Sequence, residues 1–138
     1  MGPACAGRLI LLIDDDPEFL TALTQDLTSA GHRVLQAGEG QEGMDLIDKL
    51  GGEVDLVITD LALPGMSGYE VISQLSDGRK ELRVIAVSGV YKESYLEVAT
   101  VLGARAALQK TPRGRPMQRS EWLAAVERVF ESPSSLNN

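Results

Sequence analysis

Asp55-Leu56-Val57-Ile58-Thr59-Asp60, followed by Leu61-Ala62-Leu63-Pro64-Gly65-Met66-Ser67-Gly68, is the stretch on which the reading of this chain turns. Val54 to Ile58 is short and nearly all apolar, the pattern of a strand buried on both faces of a parallel sheet, and it stops at an acid. Asp60 therefore falls at the carboxyl end of a central strand. In an open α/β sheet that edge is where ligands bind, in the crevice where the strand order reverses. Pro64, Gly65 and Gly68 turn the chain back, and Ser67 is placed to cap the helix that follows.

Upstream, Leu9-Ile10-Leu11-Leu12-Ile13 is a second run of the same kind, ending on Asp14, Asp15 and Asp16. Asp16-Pro17 reads as an N-cap and first helical residue, with Phe19, Leu20, Leu23 and Leu27 on one apolar face and Gly31 as the stop. His32 to Ala37 predicts a strand, and Gln41 to Leu50 a helix facing inward through Met44, Ile47 and Leu50, ended by Gly51-Gly52. Downstream of the central strand, Val71, Ile72 and Leu75 mark a helix that closes near Gly78, and Leu82 to Val87 a strand followed by Ser88. Lys92 to Leu102 predicts a helix with Tyr95, Val98, Ala99 and Leu102 inward, ended by Gly103. Arg105 to Gln109 is an alanine-rich strand ending on Lys110. Ser120 is expected to cap a last helix that faces the core through Leu123, Val126, Val129 and Phe130 and stops at Ser132-Pro133. Five strands alternating with five helices predict an α/β fold, a doubly wound parallel sheet.

Length and charge narrow the function classes. A chain of 138 residues is one domain by the usual prior. It buries roughly 68–70% of its unfolded surface, enough to need no covalent staple. A net charge of -7 disfavours a general nucleic-acid surface, which needs clustered Lys and Arg. The single cysteine, Cys5, forms no internal disulfide, which fits a reducing compartment, and the longest apolar run, Leu9 to Ile13, is too short for a signal-peptide core or membrane span. The expectation is a soluble cytoplasmic protein with a loose tail over residues 1–7, a folded unit over 8–132 and a short tail over 133–138.

Four of the five expected strands end in a reactive or charged side chain: Asp14 and Asp15, Asp60, Ser88, and Lys110. All project from one edge, which a repeating βα unit does not require. Three carboxylates within ~4 Å repel by about 4 kcal/mol per pair at an effective dielectric near 20, so something cationic must offset them. Mg²⁺ suits such a site, because it binds through one or two carboxylates and keeps waters for a phosphoryl group. Asp60 is then the expected nucleophile toward phosphorus. Lys110 would neutralise charge on the equatorial oxygens, Ser88 would donate to one of them, and the product would be an aspartyl phosphate.

Leu12-Ile13-Asp14-Asp15-Asp16-Pro17, Asp55 through Gly68, Val87-Ser88-Gly89 and Ala107-Leu108-Gln109-Lys110, in that order and spacing, resemble a response-regulator receiver domain of two-component signalling, of the single-domain chemotaxis type. The similarity runs from about Leu9 to Val129. It implies a flavodoxin-like sheet of order 2-1-3-4-5, and a signalling module rather than a turnover enzyme. It also implies that Asp60 accepts phosphate from a phosphohistidine on a sensor histidine kinase or phosphotransfer protein. Asp15 and Asp60, with the backbone carbonyl of Ala62, would ligate Mg²⁺ directly, Asp14 through a water, while Ser88 and Lys110 contact the phosphoryl oxygens. The readout face would be the fourth helix, fifth strand and fifth helix. Only one helix and a short tail follow Pro112, so the expectation is a stand-alone receiver, a monomer or weak dimer, acting on a downstream protein or relay partner and not on DNA.

The chain departs from the family's pattern in places. Ala107 stands where members usually carry an aromatic switch residue, for which Tyr91 or Tyr95 are candidate substitutes. Lys110 is followed by Thr111-Pro112 rather than directly by a cis proline, so Lys110–Thr111 is expected trans, since cis before a non-proline costs ~2.5–4 kcal/mol. The Pro112 to Arg119 segment is long and carries Arg113, Arg115 and Arg119, read as a solvated loop with a docking patch as the sharper alternative. Ala62 and Val90 are apolar where polar groups can orient an attacking water, which predicts slow self-dephosphorylation.

Rival readings are weaker. Gly38-Glu39-Gly40-Gln41-Glu42-Gly43 matches G-x-G-x-x-G with Asp60 about twenty residues on, but its two glutamates would repel a pyrophosphate. No nucleotide cofactor is expected. A phosphohydrolase would want a second acid at position 62, and a pseudo-receiver would lack the acidic set. His32 reads as a surface strand residue and Trp122 as helix packing.

Overall fold

The computed structural model describes residues 7–77, 82–89 and 93–131. Five parallel strands, β1 (Leu9–Ile13), β2 (Arg33–Ala37), β3 (Leu56–Asp60), β4 (Arg83–Ser88) and β5 (Ala106–Gln109), lie in the order 2-1-3-4-5. Between them run α1 (Pro17–Ser29), α2 (Gly40–Leu50), α3 (Gly68–Ser76), α4 (Glu93–Leu102) and α5 (Arg119–Glu131), with 3-10 turns at Gly51–Glu53 and Pro112–Gly114. This is the expected doubly wound, flavodoxin-like sheet.

The sheet divides the core by strand alternation. Leu9, Leu11, Ile13, Val57, Val84 and Ala86 point into one apolar layer with α2, α3 and α4. Ile10, Leu12, Leu56, Ile58, Ile85 and Val87 point into the other, with α1 and α5. β1 and β3 are buried along their whole length, which is why their sequence is continuously apolar rather than alternating.

The local signals at the functional edge hold. The Asp16 carboxylate caps α1 by accepting from Glu18 N at 3.0 Å, with Pro17 in the first turn, and Ser67 Oγ caps α3 by accepting from Glu70 N at 3.3 Å. Gly68 is required by closeness: a Cβ there would run into the carbonyl oxygen of Asp60 and lie 2.7 Å from Leu61 Cα. Gly40 and Gly43 have the same kind of reason. A Cβ on Gly40 would sit 2.8 Å from Met66 O, and one on Gly43 would collide with Ile13. The Gly38 N–H is taken by Glu42 Oε1 at 2.8 Å, so the G-x-G-x-x-G stretch is a packing pattern closed by its own glutamate.

Several expectations are corrected. Strand boundaries move by a residue or so: β2 starts at Arg33, β4 runs on through Ser88 and β5 starts at Ala106. Gly7 is not loose, since its N–H bonds to Gly31 O at 3.0 Å. Ser120 does not cap α5. The helix begins at Arg119, and Glu121 reaches back to Gln118 N at 2.7 Å, the reciprocal half of a capping box. On α4, Ala99 is buried and Leu102 half-buried, but Tyr95 and Val98 are exposed at 38% and 47%, because the helix lays its smallest side chain on the sheet. His32 is not a surface strand residue: it is 7% exposed, in the turn before β2. Its Nδ1 has no hydrogen-bond partner among the described residues. Residues 1–6 with Cys5, Gly78, Val90, Tyr91, the Lys92 helix start and the Ser132-Pro133 stop with the tail beyond fall outside the described residues.

Candidate functional site

Strand register assembles the site. Ile13 pairs with Thr59, so Asp14 and Asp60 leave the sheet at the same level. Asp60 pairs with Val87 and Ser88 with Gln109, so Ser88 and Lys110 follow one step farther along the same edge. Lys110 N bonds to Ser88 O at 2.9 Å, extending the ladder to the loop.

Asp14, Asp15 and Asp60 each offer a carboxylate oxygen within 4.8 Å of the others. Asp14 is 1% exposed and Asp60 6%, whereas Asp15 faces solvent. Each buried acid is held by a backbone donor: Asp16 N to Asp14 Oδ1 at 2.9 Å and Ala62 N to Asp60 Oδ1 at 3.2 Å. Lys110 Nζ lies between them, 2.5 Å from Asp14 Oδ2 and 3.3 Å from Asp60 Oδ2. It also lies over the face of Phe19, 4.4 Å from Nζ to the ring centroid. Phe19 in turn stands edge-on to Trp122, with centroids 5.7 Å apart. Ser88 is buried at 3% exposure.

Burial pushes the Asp14 carboxyl above its ordinary range, outweighing the Lys110 ammonium and the Asp16 amide that favour its charge, with the Asp60 charge adding to the rise. Burial also pulls the Lys110 ammonium down, but Asp14 and Asp60 together overcome it and leave it above its ordinary value. Three carboxylates against one ammonium leave the pocket with an excess of negative charge. An all-oxygen donor set open to solvent on the Asp15 side fits a hard divalent cation.

All the expected side chains therefore meet at one edge. Ala62 brings its N–H to Asp60 there. Sequence reading missed Phe19 as the lid on Lys110; its apolar spacing in α1 signalled only a core position. The Pro112 to Arg119 segment is not simply solvated. Arg115 forms a two-pronged pair with Glu121 at 2.7 and 3.2 Å, Met117 N bonds to Lys110 O at 3.1 Å, and no peptide bond among the described residues is cis, Lys110–Thr111 included. The Arg113 side chain lies outside the described residues.

Comparison with known proteins agrees with this geometry. A family model described as the response regulator receiver domain matches residues 10–122. The chain is 28% identical over 130 residues to the chemotaxis protein CheY of Treponema pallidum, covering 94% of this chain and 87% of that one. It is 32% identical over 127 residues to the transcriptional regulator NtrC of Azospirillum brasilense, covering 92% of this chain but 25% of NtrC. It is 30% identical over 86 residues to the sensor kinase CckA of Brucella abortus, where it spans 9% of the relative's length. Among solved structures, a chain of the CheX–CheY–BeF₃–Mg²⁺ complex from Borrelia burgdorferi superimposes with a TM-score of 0.81 at 27% identity, over 91% of this chain and 90% of that one. With the fold, the acidic edge and the family match in agreement, the chain belongs to the response regulator receiver domains of two-component signalling.

Proposed function

We propose that Asp60 is the phosphoacceptor of this receiver, taking a phosphoryl group from a phosphohistidine on a sensor kinase or phosphotransfer protein. The observation that carries the reading is the convergence of Asp14, Asp15, Asp60 and Lys110 on one pocket. Receiver domains bind Mg²⁺ at an acidic pocket. Here Asp15, Asp60 and the Ala62 carbonyl would hold the ion, with Asp14 acting through water. Bound there, Mg²⁺ supplies charge neutralisation for the phosphoryl oxygens.

An Asp60 carboxylate oxygen attacks phosphorus, the P–N bond breaks, and its electron pair leaves on the imidazole nitrogen. The Ala62 N–H holds Asp60 by its Oδ1 and so fixes the carboxylate plane during attack. Lys110, already 3.3 Å from Asp60, and the Ser88 hydroxyl bind the phosphoryl oxygens. The product carries about -1.5 to -2 added charge and three acceptor oxygens, which draws the Ser88 and Lys110 loops together. Moving a two-state loop from 1:99 to 99:1 takes ~5.5 kcal/mol, within reach of several charge-assisted hydrogen bonds.

The output surface is the face formed by α4, β5 and α5, and the partner is a protein rather than DNA. Tyr95, Val98 and Val101 stand exposed on α4. A groove of about 940 Å³, lined by Leu108, Thr111, Met117 and Ala124 among others, runs between β5 and α5. The receiver unit spans 8–132 and works in the cytoplasm; among the described residues no helix is long and apolar enough to cross a membrane.

Acetyl phosphate with Mg²⁺ should add a phosphoryl mass to the wild type and none to Asp60→Asn; equal labelling of both, or none in the wild type, overturns the assignment. Ala62 is exposed and offers no polar side chain to an attacking water. The label should therefore decay slowly, and faster in Ala62→Asn; indistinguishable decay curves remove the slow-hydrolysis reading. Val101→Asp should accept label normally but fail to capture a target held by the beryllofluoride-loaded wild type, and unchanged capture would move the output surface elsewhere.

A further inference from the structure

Lys110 is the cation on which this pocket depends, and an aromatic ring lies against it in addition to the two acids. Its Nζ sits 2.5 Å from Asp14, 3.3 Å from Asp60 and 4.4 Å over the Phe19 ring. Phe19 meets Trp122 edge-on at 5.7 Å with the ring planes 66° apart. Trp122 is 3% exposed and lies in the first turn of α5. Asp60, Lys110, Phe19 and Trp122 thus form a continuous line from the acceptor carboxylate to the start of α5. On the other face of the sheet, Ala107 is too small to swing between inward and outward positions.

We infer that Phe19 is a positioning residue for Lys110, and that the Phe19–Trp122 pair passes the movement of Lys110 to α5. The inference rests on the reading of Asp60 as phosphoacceptor. Before phosphorylation, Lys110 has three competing partners, and the negative face of the Phe19 ring stabilises the ammonium where Asp14 and Asp60 both reach it. A phosphoryl group on Asp60 concentrates negative charge on one side of the ammonium and draws Nζ toward it, away from the Phe19 face. The ring is then uncovered, and its preferred edge contact with Trp122 changes. α5 flanks the β5 groove through Ala124 and Ala125, so a shift at Trp122 arrives at the proposed output surface by way of the α1–α5 layer.

Trp122 is the single tryptophan of the chain, so its emission reads this contact directly. Adding Mg²⁺ and beryllofluoride to the full chain should change the wild-type emission. In Phe19→Leu, which keeps apolar bulk but has no ring face, the change should shrink about threefold or more, while acetyl phosphate still labels Asp60 by mass. Phe19→Tyr, which keeps the ring, should restore the response. Should Phe19→Leu not take label, Phe19→Met is read by the same two measurements. A full emission response in a labelled variant without the ring, or a Phe19→Tyr response no larger than that of Phe19→Leu, overturns the relay alone. Absence of label in the wild type overturns the phosphoacceptor reading, and the relay with it.

Discussion

The two ends of the sheet treat charge in opposite ways. At the carboxyl end, two buried acids share one lysine, and a third acid stands beside them in solvent. At the amino end, charged groups are matched locally. Asp55 Oδ2 accepts from Leu9 N at 2.8 Å, Arg8 and Arg83 both lie over the Phe130 ring at 4.4 and 5.1 Å, and Arg83 Nε bonds to Val129 O at 3.2 Å. The lesson is that one end is built for permanence and the other is left short of positive charge, a shortage that a bound cation can relieve.

The largest test of this contrast is Lys110→Met, which leaves Asp14 and Asp60 buried without their cation. It should cost on the order of 3 kcal/mol in urea unfolding near neutral pH without divalent ions. A cost below that of Arg83→Met would invert the contrast. Next, Mg²⁺ should stabilise the wild type by about 2.7 kcal/mol at a hundredfold excess over its Kd, and much less in Asp60→Asn; an equal gain in both would place the ion elsewhere.

His32 gives a smaller effect at the permanent end. Burial first, and the Arg8 charge second, lower its folded-state pKa, against a weaker opposing pull from Glu127. A lowered folded pKa means that the unfolded chain binds the proton more readily. The contribution of His32 to stability is therefore constant above about pH 6.5, falls as pH drops through that value at no more than about 1.4 kcal/mol per pH unit, and levels off below the folded pKa. His32→Leu should flatten that limb of a urea-midpoint titration, and an unchanged slope would exclude His32 as its source. Smallest is Arg83→Met, at about 1 kcal/mol, because one ring stack and one backbone hydrogen bond are lost where water can replace part of each.

Much of this arrangement was legible in the chain because parallel strands buried on both faces write continuous apolar runs. Leu9–Ile13 and Leu56–Ile58 each run straight into an acid. Asp16 and Ser67 announce their helices by the same short-range chemistry they perform. What was not legible depends on partners distant in sequence. α4 has a wide apolar arc that holds Tyr95, Val98, Ala99 and Leu102 together, so periodicity alone could not choose among them; the close approach to the sheet chose the smallest. The α5 cap was misread because Glu121, rather than Ser120, meets the free N–H. Phe19 looked like any inner-face residue, and only the fold brings the β5 lysine above its ring.

Gly68 carries a mechanical consequence. With no room for a side chain between it and the Asp60–Leu61 backbone, and with its own N–H bonded to Leu61 O at 3.2 Å, the acceptor strand and the start of α3 act as a single anvil. On the proposed reading, a modified Asp60 would hardly travel, and displacement would be passed to the neighbouring β4 and β5 loops, so the direction of the signal would be set by which side of Asp60 is immovable.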